Sequence, residues 1–376
     1  VQSRLRNLLE LNEGASGRLL PMEGLRGLAV LLVFLQHYAV QGLLFVEIDG
    51  LTHEAALWLK RHGNLGVALF FVLSGYLIYG MLLRRGTGFT PFMKRRVIRI
   101  YPTFLVVFVL YVPAHLLLGS GKIPAEPGPA IAYLVANLFL LPGVFAIHPL
   151  MSVAWTLSFE MAFYLVLALA VPGLRMRRWA PIARVALILV LAAAVTLQCA
   201  VQPNGFHPFR SFAPMLQFFV GMLLVEWEDR WKAEIPGWLA ASFPVAAFGA
   251  ARMLDAFPVA ALWLDTLALG MLCAGSFSGG NWVARGFSWT PLRWLGNMSY
   301  SYYLFHGPPL LILFGLSAAV FGAGWPEPVF WLLIPVAFAL SVAGSIVLFA
   351  LVERPISLPP HRPAGRQAAT TPTAGS

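Results

Sequence analysis

Apolar runs long enough to cross a bilayer follow one another through most of this chain, and they constrain its fold more than any other feature. About 30 Å of hydrocarbon must be crossed, which takes a helix of roughly 20 apolar residues. About ten stretches meet that length: roughly 26–46, 64–83, 100–119, 153–172, 183–201, 212–227, 236–252, 258–277, 297–320 and 329–352. Backbone groups in lipid must be satisfied within the segment, so such runs become helices. A membrane barrel would show alternating segments of ~10 residues instead. Composition agrees: 59% of residues are hydrophobic and 11% charged, against about 25% charged in soluble domains. The predicted fold is an all-α integral membrane protein of about ten transmembrane helices.

One further apolar run, 131–150, contains Pro142, Gly143 and Pro149. Counting it as a full span would carry Arg175, Arg177, Arg178 and Arg184 to the outer side, so it is predicted to be re-entrant or interfacial. Of the 26 Lys and Arg residues, only Lys60, Arg61, Lys122, Arg210 and Arg252 then fall outside. That asymmetry predicts cytoplasmic N- and C-termini. It also accounts for the net charge of +10 without a nucleic-acid partner. Residues 1–25 read as a cytoplasmic leader ahead of a retained first span, 26–354 as the transmembrane domain, and 355–376, rich in Pro, Ala and Thr, as a disordered cytoplasmic tail. Cys199 and Cys273 both sit in apolar runs, with no disulfide framework and no metal-binding pattern.

Without a soluble domain, chemistry must come from polar residues within the spans. Arg26 and His37 are eleven residues apart, about 1,100° of helix and ~16 Å of rise, so they share a face. Ionisable groups inside a membrane are functional candidates, although topology alone explains an arginine at a helix end. Burial disfavours the imidazolium, so His37 is expected to rest neutral with one nitrogen free to accept a proton. Ser74 and Gly75 form a small pair suited to close helix packing, and Ser74 has no nucleophile-elbow context. Arg96 and Arg99, at i and i+3, share a face, serving topology or forming a fork for phosphate oxygens. Glu160 lies about two turns into its span between Trp155 and Tyr164 and needs a partner at that depth. His306, nine residues past Asn297, lies ~14 Å in, level with His37. Asp265 reads as part of a buried network, and Glu353 as a salt-link partner for the basic loop.

Taken in order, these pieces resemble the integral membrane acyltransferase family 3, which O-acylates cell-surface saccharides and some small molecules. The resemblance rests on Arg26 with His37; Phe70, Phe71, Ser74 and Gly75; and Arg96, Arg99 and Pro102. It continues through Trp155, Leu157, Glu160, Phe163 and Tyr164; then Ser299, Tyr300, Tyr303, Leu304 and His306; then Glu353 and Pro355. Met161 stands where the commoner pattern has a second acid, and Glu160 is taken as the retained one. The resemblance implies a bacterial inner-membrane enzyme that takes an acyl group, usually acetyl, from cytoplasmic acetyl-CoA. The acceptor would be a hydroxyl of a saccharide or lipid-linked sugar at the outer face. Some relatives carry a fused extracytoplasmic domain; none is expected here.

On that basis His37 is the expected general base, with Glu160 orienting it or stabilising its imidazolium and His306 serving the oxyanion or the acceptor. Arg26, Arg96, Arg99 and Ser74 make up the expected donor site. A transporter of lipid-linked saccharide, with buried His and Glu gating a polar path, is the alternative. A protein-palmitoylating enzyme would need a cysteine beside a histidine, which the sequence lacks.

Overall fold

The computed structural model describes residues 2–11, 19–117, 121–201, 212–231, 234–254, 256–322 and 327–358. Within them the chain is all-α, with no strand among the described residues. In order the helices are α1 Gln2–Leu9, α2 Leu19–Phe45, α3 Gly50–His62, α4 Leu65–Arg85, α5 Phe89–Leu117, α6 Pro127–Leu138, α7 Ala154–Gly173 and α8 Pro181–Ala200. They continue as α9 Pro214–Trp231, α10 Gly237–Arg252, α11 Pro258–Phe277, α12 Trp282–Phe287, α13 Thr290–Asn297, α14 Ser299–Phe305, α15 Gly307–Phe321 and α16 Glu327–Leu348, which runs into a π-helical turn, Phe349–Ser357.

Seven described helices are long and apolar enough to cross a membrane, or eight when α14 and α15, bent 41° apart, count as one. The remaining expected spans are helices too: α9 is 18 residues long but ends in Glu226, Glu228, Asp229 and Arg230, and α10 has 16 residues. Ten is therefore an approximate count. The run 131–150 does not form a span. It is the twelve-residue α6, about 18 Å by helical rise and short of the bilayer core, followed by irregular backbone in which Leu140 and Gly143 take positive φ. Arg210, residues 12–18 of the leader and the tail beyond 358 lie outside the described residues.

Three boundaries differ from expectation. The first span starts at Leu19 rather than 26, and α5 starts at Phe89 rather than 100, so Arg96 and Arg99 sit inside a helix. The helix α3 was not expected; it joins α4 at Gly63 to make one long segment, Gly50–Arg85. Part of the leader is also folded onto the body. Arg293 of α13 binds both Glu10 and Glu23, Asn297 Nδ2 donates to the Leu9 carbonyl at 2.9 Å, and Arg354 Nη1 donates to the Leu8 carbonyl at 2.6 Å.

Close backbone approach fixes the positions of α2 and α4. A Cβ added at Gly27 or Gly296 would lie 2.1 or 1.7 Å from a backbone oxygen across the α2–α13 contact, and one added at Gly24 would lie 1.8 Å from the Phe287 carbonyl oxygen at the end of α12. At Gly75 and Gly221 it would lie 2.2 and 2.1 Å from backbone oxygens across α4–α9. Small residues serve helix packing in lipid in this way, because apolar side chains gain little by leaving one hydrocarbon for another. The end of α4 is set by Gly86 in the left-handed region (φ 59°), and Arg177 Nε donates to the Leu83 carbonyl at 2.8 Å. A buried ion pair, Arg184–Glu226, with Nε and Nη2 at 2.6 and 2.8 Å, ties α8 to α9, and Tyr79 of α4 donates to the same carboxylate at 2.5 Å.

Candidate active site

A cavity of about 620 Å³ opens within the bundle, inside the ordinary range for small-molecule sites, ≈300–1,000 Å³. It follows α4 from Val67 to Arg85, about 27 Å of helical rise. One end is basic, with Arg84, Arg85, Arg96 and Arg99 in its wall. Arg26, Ser74, Glu160, Tyr164, Ser299 and Tyr300 line its middle, and Phe70, Thr156 and Tyr303 its other end. Five of the seven site residues expected from sequence, Arg26, Ser74, Arg96, Arg99 and Glu160, thus share one wall-to-wall space.

Four of the five arginines there, Arg26, Arg84, Arg96 and Arg99, are held by partners. Arg26 donates from Nε and Nη2 to Ser299 Oγ at 3.1 and 2.9 Å. Arg99 pairs with Glu353 at 2.9 Å, and Glu353, fully buried, accepts from the Ser301 backbone N–H and hydroxyl at 2.9 and 2.5 Å. A π-helical turn aims that carboxylate; π segments are rare and concentrate at functional sites. The Arg96 guanidinium lies 5.7 Å from the ring centres of both Phe92 and Tyr164, a cation–π arrangement that keeps its plane ordered. Arg84, by contrast, is drawn towards Glu228 and Asp229 at 3.3 and 2.8 Å.

The two histidines meet as their depth arithmetic requires. Their rings stand edge to face, with centroids 4.7 Å apart. Both expected α2 residues face α14, since Arg26 reaches Ser299 at its start and His37 meets His306 at its end. The Nδ1–H of His37 donates to the Val33 carbonyl at 2.9 Å, and that of His306 to the Tyr302 carbonyl at 3.1 Å. A carbonyl only accepts, so each neutral ring carries its proton on Nδ1 and offers Nε2 as the acceptor. His306 is fully buried and its Nε2 has no hydrogen-bond partner.

Two expectations are corrected. The histidine pair does not line the cavity; Tyr303 stands between them, with its ring 6.2 Å from that of His306. Glu160 does not reach His37. Its carboxylate accepts from Ser74 Oγ at 3.2 Å and from the Tyr164 hydroxyl, because α7 packs on α4 and α5. Asp265 pairs with Arg252, away from these groups. Sequence reasoning passed over Thr156 and gave Tyr303 no role of its own. A run of three tyrosines one turn before His306 was the available signal.

A helical membrane bundle that holds an arginine-lined cavity, with paired imidazoles behind the Tyr303 of its wall, suits transfer of a group between two substrates inside the membrane domain. The chain belongs to the membrane acyltransferase 3 family: the family model described as an acyltransferase domain matches residues 21–350. The acyltransferase MdmB of Streptomyces mycarofaciens is 30% identical over 312 residues, 77% of this chain and 78% of its own. The exopolysaccharide production protein ExoZ of Rhizobium meliloti is 28% identical over 313 residues, 78% of this chain and 89% of its own. The O-acetyltransferase OatA of Staphylococcus aureus is 25% identical over 373 residues, 91% of this chain but only 58% of its own. No solved structure matches the chain.

Proposed function

We propose that this protein is an acyl-CoA-dependent O-acyltransferase of the bacterial inner membrane that moves an acetyl group from the cytoplasm to a saccharide hydroxyl at the outer face. The observation that carries this reading is one continuous cavity lined by an arginine cluster and by Tyr303, whose ring lies 6.2 Å from that of His306. Arginines match phosphate oxygens in a planar, bidentate fashion, which suits the anionic end of coenzyme A. A cavity that follows α4 for about 27 Å is long enough for an extended pantetheine arm.

In this reading Arg96 and Arg99 hold the phosphates, and Glu353 keeps Arg99 from turning away. Arg26 stands midway, its charge balanced by Glu160 and Glu353, and positions the arm with Ser74. The thioester lies at the Tyr303 end. His37 Nε2 takes the proton of the acceptor hydroxyl as its oxygen bonds to the acyl carbon. The carbon–sulfur bond then breaks, and the imidazolium returns the proton to the leaving thiolate, so coenzyme A departs as the free thiol. His306, edge-on to His37, holds that ring in place and serves the acceptor side. Glu160 organises Ser74 and Tyr164 rather than the base.

Detergent-purified protein tests the donor assignment with labelled acetyl-CoA. Arg96→Ala combined with Arg99→Ala is expected to weaken acetyl-CoA binding about 100-fold or more, since hydrogen bonds to charged groups contribute about 1.5–3 kcal/mol each. Unchanged donor affinity would remove these arginines from the site. A saccharide transporter would bind no acetyl-CoA at all, and that result would reject the enzyme reading in favour of the transport one.

A further inference from the structure

Tyr303 occupies a position that the reaction scheme leaves unassigned. Its side chain lines the cavity, and its ring lies near both Phe70, at 6.1 Å and 74°, and His306, at 6.2 Å, which does not line the cavity. Its hydroxyl is latched. It lies 2.8 Å from Thr156 Oγ1 and 3.2 Å from the Val153 carbonyl oxygen, and Thr156 Oγ1 is 3.0 Å from that same oxygen. The two hydroxyl protons serve two of these three contacts at a time: one hydroxyl donates to the other, which donates to the carbonyl, so the start of α7 and the residue before it hold the ring by its tip. All three residues are buried, so the latch does not compete with bulk water.

We propose that Tyr303 is the gate between donor cavity and histidine pair, and that its latched ring limits the acyl group to a short chain. The inference rests on the acyl-CoA reading above and deepens it. An acetyl group ends within the space beside the ring. Each further methylene must displace the ring and break the bonds that Thr156 and Val153 make to it, leaving buried polar groups unpaired. Interior packing leaves no slack for it, because Phe70 and Leu157 border the same end.

Displacement of labelled acetyl-CoA from the detergent-purified full chain by unlabelled acetyl-, butyryl- and hexanoyl-CoA tests this without needing the acceptor. The wild type is expected to bind acetyl-CoA best and hexanoyl-CoA least. In Tyr303→Leu the hexanoyl-to-acetyl affinity ratio is expected to rise about tenfold or more, the scale set by a methylene's room in an apolar pocket. Where Tyr303→Leu yields no folded protein, Thr156→Val decides; it removes one of the hydroxyl's two partners but keeps the ring, and the ratio is expected to rise about fivefold. A wild type that binds acetyl-CoA while the deciding variant leaves the ratio unchanged overturns the gate alone. A wild type that binds none of the three thioesters overturns the gate together with the acyl-CoA reading.

Discussion

Replacing His37 by alanine is expected to lower acyl transfer by about 10³-fold or more while the protein remains folded in the membrane. The size follows from what is lost. His37 Nε2 is an acceptor because Nδ1 is committed to the Val33 carbonyl, and a general base supplies typically 10²–10⁴ in rate. The fold loses little, since that bond is made within one turn of α2. One competing group stands close by: His306, its ring 4.7 Å away and its Nε2 unpartnered. Transfer rates normalised to folded protein separate the two. If His37→Ala loses only about tenfold and the pair with His306→Ala loses the rest, the base is His306. Full activity in the double variant would remove both imidazoles from the reaction.

Gly296→Ala is expected to abolish recovery of monodisperse protein, although the change adds one methyl group. That methyl would sit 1.7 Å from the Glu23 carbonyl oxygen. The obstacle is backbone, so no rotamer change relieves it, and α13 would have to move off α2. Overpacking usually costs about 1–3 kcal/mol, and a clash of backbone with backbone belongs at or above the top of that range. Displacement would also pull apart the Arg293 ion pairs with Glu10 and Glu23. Gly315→Ala, with nothing within 4 Å of its added Cβ, is the matched control. Size-exclusion profiles of the two variants in detergent check the pair; a normal profile for Gly296→Ala would show that α2 and α13 do not meet as described.

Much of this was legible because lipid makes sequence spacing informative. Apolar length marks a helix, and a helix converts residue number into depth. That arithmetic placed His37 and His306 level with each other, and the rings touch. It set Arg26 and His37 on one face, and both address α14. It could not show α3, whose His53, Glu54, Lys60 and Arg61 break the apolar window. Nor could it show which neighbour each helix face meets. Depth showed only that Glu160 needs a partner, and the expected mechanism gave it His37, but α7 turns it to α4, where it meets Ser74. The salt link expected between Glu353 and the basic loop is there, with Arg99 as the partner, but the sequence did not say which basic residue would take it. Tyr303 was hidden for a simpler reason: among neighbouring tyrosines, only packing distinguishes the one that separates cavity from imidazole.

The π-helical turn at 349–357 carries a further consequence for how the Arg99 partner is specified. There the Leu358 N–H reaches back five residues to the Glu353 carbonyl, and Pro355 has no N–H to offer a tighter pitch. The bearing of the carboxylate is thus encoded by how many residues precede it as much as by which residue it is. Removing a single apolar residue from 349–352 would restore ordinary pitch and swing Glu353 by about 100°, away from Arg99 and Ser301. Such a shortened chain is expected to lose acetyl-CoA affinity with every charge still present, so insertions and deletions are the informative changes in this stretch.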